Sequence, residues 1–94
     1  MTLRYLCDPA KKAEHLRKHG LDFDDAPRII ESNTNVIFED RRFDYGEQRF
    51  ITMDFLGGKV IMVISTETDQ EIHVISMRKA TQHEQKIYSR NRGR

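Results

Sequence analysis

The sequence predicts an α+β fold, an antiparallel sheet with its helices segregated from the strands. Three observations carry that prediction. Runs rich in β-branched and aromatic residues follow one another over residues 49–56, 59–66 and 72–78, as the strands of a meander do. Gly57-Gly58 joins the first two runs, and a two-residue glycine loop closes an antiparallel hairpin. Helix-start signals flank this block: Asp8-Pro9 and then Asp22, Asp24 and Asp25 precede it, and Thr81 follows it.

Each element has its own local cause. Residues 3–7 alternate weakly and predict a first strand. Asp8 can accept hydrogen bonds from the first helical turn, and Pro9 loses nothing at the first helical position. The helix that follows carries Ala10, Ala13 and Leu16 on a thin apolar side and Lys11, His15 and Lys18 on another. Gly20 supplies the left-handed residue that ends it. Asp22, Asp24 and Asp25 place negative charge at the start of a second helix containing Ala26, Ile29 and Ile30, and Pro27 keeps it short. After Ser32-Asn33 the period becomes two, with Val36-Ile37-Phe38 as a short strand and a polar turn from Glu39 to Gly46. The strand over 59–66 has Val60, Met62 and Ile64 on one parity and Ile61 and Val63 on the other, so helices must cover both of its faces. Thr81-Gln82-His83-Glu84 is a capping box. It opens a last helix containing Ile87 and Tyr88, after which residues 90–94 are expected to fray as a flexible basic tail. The predicted order is β-α-α-β-β-β-β-α.

Ninety-four residues make one domain, 1–94, and a chain of this size buries about 65% of its unfolded surface. At 37% apolar and 33% charged, it is too apolar for a disordered chain and too polar for a membrane protein. The longest apolar run, Val60 to Ile64, is far short of the roughly 20 residues that cross a bilayer. The opening MTLRYLCDPA has no apolar segment of secretory length. A cytoplasmic, membrane-free location is expected. The single cysteine, Cys7, cannot close an internal disulfide, and no Cys/His spacing suits zinc, so neither a structural metal nor a cofactor is expected. The net charge of +1 conceals an asymmetry: residues 78–94 hold six basic side chains against one acid, Glu84, while the rest of the chain has ten against fourteen. A cationic segment on a mildly acidic body suits a nucleic acid or an acidic protein.

Familiar catalytic constellations are missing: there is no G-x-S-x-G, no phosphate-binding glycine loop and no H-E-x-x-H. Metal-free acid–base chemistry stays open. Lys18-His19 pairs a lasting cation with a residue type that exchanges protons near neutral pH, although cations at a helix end are also simply favoured there. His15 and His19, at i and i+4, supply two metal ligands at most, too few without a third. Arg49, His73 and Arg78 interrupt apolar runs, where a cation either guards a strand edge or faces a ligand. On an unbroken strand Arg78 shares its face with Ile72, Val74 and Ser76, and His73 shares the other with Ile75 and Met77. His73 and Arg78 can therefore serve one site only if a bulge intervenes. Arg49 lies with Ile51, Met53 and Phe55, and the register decides whether that is the face of Arg78. Glu84 could act as a general base, but its place in the capping box explains it without chemistry.

Asp8-Pro9-Ala10-Lys11, Leu16-Arg17-Lys18-His19-Gly20, and Phe23 with Ala26 resemble the opening of the BrnT toxins of bacterial type II toxin–antitoxin modules, W-D-x-x-K, N-x-x-K-H-G and F-x-x-A in series. Asp44-Tyr45-Gly46-Glu47-Gln48-Arg49 resembles the G-E-x-R element of that family. Ile75-Ser76-Met77-Arg78-Lys79-Ala80-Thr81, with Glu84 and Tyr88, resembles its I-S-A-R-x-A and E-x-x-x-Y elements. The likeness runs from about Leu6 to Tyr88. Cys7 stands where tryptophan is usual, His15 where asparagine is usual, and His73 where arginine is common.

The resemblance implies a RelE-like fold, metal-independent cleavage of RNA and inhibition of translation. It also implies neutralisation by a BrnA-type antitoxin whose ribbon-helix-helix domain binds operator DNA, so that any DNA contact comes through the antitoxin. Attack by a ribose 2′-hydroxyl on its phosphate needs a stabilised phosphorane and moving protons, and the arginine fork suits phosphate oxygens. On that resemblance Arg49 and Arg78 are expected as phosphate clamps, with Lys18 and His19 as a pair that binds RNA or handles a proton. Lys11, His73, Lys79 and Tyr88 are expected to bind substrate, Tyr88 by stacking or through its hydroxyl. A second reading keeps the scaffold without cutting: a binding module for an acidic protein or nucleic acid. A small DNA-binding protein fits less well, because no helix-turn-helix pattern precedes the basic segment.

Overall fold

A computed structural model describes residues 4–44 and 46–92; Leu3 of the first predicted strand, Tyr45 of the G-E-x-R likeness and Arg94 of the basic tail lie outside them. The described chain forms β1 (Arg4–Leu6), α1 (Pro9–His19), a 3₁₀ turn (Phe23–Asp25), α2 (Ala26–Ile30), β2 (Val36–Asp40), β3 (Arg49–Leu56), β4 (Lys59–Glu67), β5 (Glu71–Lys79) and α3 (Gln82–Asn91). The strands make one sheet in the order β1-β5-β4-β3-β2. This is an α+β architecture with three α-helices.

The sheet is mixed, which corrects the expectation of a purely antiparallel one: β1 runs parallel to β5, with Tyr5 opposite Ile72. Short loops force β2 through β5 to alternate, whereas most of the chain separates β1 from β5, so no turn dictates their relative direction. The hairpin between β3 and β4 turns on Gly57 and Gly58 at φ 61° and 81°, the paired positive values that a primed turn demands and that side chains resist.

Period-two alternation in β4 sorts the core into two layers. Ile61 and Val63 pack with Val74 and Met77 against Leu21, Phe23, Ala26 and Ile29, beneath the 3₁₀ turn and α2. Val60 and Met62 pack on the opposite face with Val36, Ile51 and Met53 against Tyr88 of α3. Both faces of the central strand are thus covered, as its double apolarity requires.

The caps read from sequence form. Asp8 accepts from the Ala10 N–H and Gly20 closes α1 at φ 67°, while Thr81 and Glu84 complete the capping box of α3. The expected apolar face of α1 does not bury: Ala10, Ala13 and Leu16 are all exposed. α1 is instead held by the Lys12 ammonium donating to Asp24 at 2.8 Å and by the His15 ring 4.9 Å from Phe23. The last helix reaches past residue 90, the expected start of the basic tail. α3 continues through Asn91, and the Arg92 guanidinium lies over the rings of Phe55 and Tyr88, 5.3 and 5.8 Å from their centroids.

One buried carboxylate fastens the layers together. Asp54 accepts from the Tyr88 hydroxyl at 2.6 Å, from Thr34 at 2.9 Å, from its neighbour's N–H at 2.7 Å, and from Ser32. Burial pushes its pKa up, but these donors outweigh burial and hold it below the ordinary carboxylate value. The same contact, after burial, pushes Tyr88 up to about 12, so the phenol keeps its proton and donates. Tyr88→Phe removes one donor from a buried charge and is expected to destabilise the fold by about 1.5–3 kcal/mol. Urea unfolding checks this through a lower midpoint with an unchanged slope; an unmoved midpoint would detach Tyr88 from the stability of the core.

Candidate active site

A bulge in β5 decides which polar side chains share a surface. Ile64 lies opposite Ser76 and Ser65 opposite Val74, so Ile75 has no partner. The extra residue reverses the alternation: His73, opposite Thr66, and Arg78, opposite Met62, end on the same face of the sheet. Arg49 joins them, because it shares the parity of Ile51, which lies opposite Ile64. All three therefore stand on the α3 face.

Arg78 is held by α3. Its Nη1 and Nη2 donate to the two Glu84 oxygens at 2.7 and 2.8 Å, and Nη1 also donates to the Lys79 carbonyl at 3.2 Å. A guanidinium has five donors. Among the described residues, no hydrogen bond uses Nε or the second hydrogen of Nη2, which leaves a side-on fork open to an incoming phosphate. The Arg78 guanidinium, with the Thr81 backbone N–H, outweighs burial and draws Glu84 down to about 2. In return, Glu84 raises Arg78 above the usual arginine value even though the Arg42 charge opposes it.

Arg42 and its partner were not singled out from sequence. Asp40, its side chain fully buried, receives Arg42 Nε and Nη2, each at 2.8 Å, and lies directly opposite Arg49 in the β2–β3 ladder. Arg49 itself donates through Nε to Glu47 at 3.1 Å. The available signal was the alternation Asp40-Arg41-Arg42 continuing the period of β2, which the expected polar turn obscured. β2 extends to Asp40, two residues beyond its predicted end.

The expected site residues divide between two clefts. Lys11, Arg49 and His73 line one of about 270 Å³ with Asp8, Glu47 and Thr66. Lys18, His19, Arg78 and Lys79 line another of about 350 Å³ where the end of α1 passes β5. Lys18 is paired there with Glu14 at 2.6 Å. Tyr88 belongs to neither: at 1% exposure, with its hydroxyl given to Asp54, it is a core anchor without a surface for stacking on substrate, a correction to the role expected of it. Among the described residues, no group of three or more His, Cys, Asp or Glu side chains is placed to hold a metal ion. The chemistry this surface offers is anion binding by oriented guanidinium groups.

The Arg78–Glu84 pair makes stability depend on pH. Glu84 titrates lower in the folded chain, about 2, than its ordinary 4.5, so its contribution is complete above 4.5 and fades as the pH falls towards 2. Glu84→Gln is expected to flatten the loss of stability across that window by one proton's worth of slope, as read by urea unfolding at a series of pH values. Parallel curves for the two proteins would show that Arg78 does not hold this carboxylate.

A family model described as the ribonuclease toxin BrnT of a type II toxin–antitoxin system matches residues 7–84. No curated protein matches the sequence. The matched span contains β2 to β5, the bulge, Arg42, Arg49, His73 and Arg78, together with Glu84. The chain belongs to the BrnT family of ribonuclease toxins of type II toxin–antitoxin systems.

Proposed function

We propose that this protein cleaves RNA without a metal ion, on a RelE-like scaffold, and thereby inhibits translation in the cytoplasm. The observation that carries the reading is the gathering of Arg49, His73 and Arg78 on one sheet face, by the β3–β4 register and the β5 bulge. In the proposed reaction the ribose 2′-oxygen attacks the adjacent phosphorus and the bond to the 5′-oxygen of the next nucleotide breaks. The products are a 2′,3′-cyclic phosphate and a 5′-hydroxyl. One proton leaves the nucleophile and one reaches the leaving oxygen. Arg78, through its open fork, stabilises the extra negative charge of the phosphorane, and Arg49, in the other cleft, clamps a further phosphate of the same strand. Lys11 and His73 beside Arg49, and Lys18, His19 and Lys79 beside Arg78, bind the flanking strand or carry protons.

Each guanidinium of the face reaches the substrate already oriented by a carboxylate, so little freedom is lost on binding. The partner of this reading is a BrnA-type antitoxin with a ribbon-helix-helix domain, and operator DNA is met only through it. A module that binds without cutting would use the same surface, and catalysis separates the two. The purified chain is expected to cleave single-stranded RNA in the presence of EDTA. Arg78→Ala is expected to slow cleavage by about 10²–10³-fold and Arg49→Ala to weaken RNA binding, each while leaving the circular dichroism spectrum unchanged. Induced alone, the wild-type chain halts growth and protein synthesis; a harmless chain that leaves RNA intact would overturn the proposal.

A further inference from the structure

A second cationic surface adjoins the guanidinium face and differs from it in kind. On that face the arginines have carboxylate partners: Arg78 with Glu84, Arg49 with Glu47 and Arg42 with Asp40. Around the start of β4, the end of β5 and the outer side of α3, the cations have none. Lys59, Lys79, Lys86 and Arg90 form no ion pair among the described residues. Two adjoining recesses there share Gln85 and Ser89; Lys59 and Lys79 line one, Lys86 and Arg90 the other, and no acidic side chain lines either.

Two further features give this groove a preference. Lys59 and Lys79 line one recess, and the Lys59 amine pulls Lys79 below the usual lysine range. Like charges held this close are relieved by a bound anion. Phe55, 47% exposed, lines the same recess, its ring overlain by the Arg92 guanidinium and braced edge-on by Tyr88 at 5.5 Å. An acidic peptide would satisfy the lysines alone. A single-stranded nucleic acid uses both features, phosphates along the cations and a base on the ring.

We propose that this groove is a second RNA-binding site, one that captures the single strand beyond the scissile phosphate. The inference rests on the RNA-cleaving reading above. Lys79 lines both this groove and the cleft of Arg78, so the two are continuous. Lys59 and Thr66, the β4 residue opposite His73, stand about 23 Å apart along β4, so a strand that engages both ends of the surface spans several nucleotides. Unpaired lysines suit this task because they follow a phosphate backbone without reading sequence.

The test uses the full chain and a fluorescein-labelled 2′-O-methyl oligouridine, which lacks the nucleophile and is not cut. Fluorescence anisotropy is recorded at several salt concentrations for the wild type, for the triple variant Lys59→Gln, Lys86→Gln, Arg90→Gln, and for Phe55→Leu. The triple variant is expected to bind at least tenfold more weakly, with a salt slope lower by about 2, the amount three lost single-strand phosphate contacts predict. Phe55→Leu is expected to weaken binding without changing the slope. Unchanged affinity and slope in the triple variant would overturn the groove proposal. So would a variant that loses a labelled oligoglutamate but keeps the oligouridine, which would mark a site for an acidic protein segment. Cleavage of unmodified RNA by the wild type, measured alongside, reports on the nuclease reading independently of either result.

Discussion

The fold turns on the Asp54 carboxylate. It is a charge in a nearly closed environment, and its donors come from the α2–β2 connection, from its own strand and from α3. Removing any donor leaves a buried charge less satisfied, so these pieces of chain are bound to one position. The consequence reaches the guanidinium face. Tyr88 fixes α3 against the sheet, α3 begins with the Thr81–Glu84 capping box, and Glu84 holds Arg78 by two of its nitrogens. A phenol in the core thus sets where an arginine at the surface points.

Glu84 serves two structural ends at once. It closes the first turn of α3 by accepting from the Thr81 N–H at 2.8 Å, and it aligns the Arg78 guanidinium. These uses do not compete, since a carboxylate has lone pairs enough for both. They also separate two styles of cationic surface on one small protein. The guanidinium face is rigid and locally neutralised, which suits a precise contact with a changing charge. The lysine groove is unpaired and mutually repelling, which suits attraction of a polyanion from solution.

Much of the backbone was legible because its signals are local. Alternation, the Gly57-Gly58 turn, the Asp8-Pro9 start and the capping box each act within a few residues, and each element they predict is present within one or two residues of its expected ends. The departures have nonlocal causes. β1 is free to lie parallel to β5 because no turn joins them. The Ala10, Ala13 and Leu16 stripe of α1 stays exposed because the helix rests on the 3₁₀ turn through Lys12 and His15 instead. α3 runs on through Asn91, and beyond it Arg92 meets an aromatic pair from β3 and α3.

The site shows the same division more sharply. Sequence alone determined the residue types, the elements that carry them and the condition for their cooperation: that a bulge must intervene if His73 and Arg78 are to share a surface. Tertiary structure decided that the bulge falls at Ile75, that Arg49 stands on the same face, that Arg42 joins it, and that Tyr88 belongs to the core. Alternation along a strand is a property of one chain segment, but which faces align is a property of register between segments. Register is set by packing across the whole sheet, and no local pattern contains it.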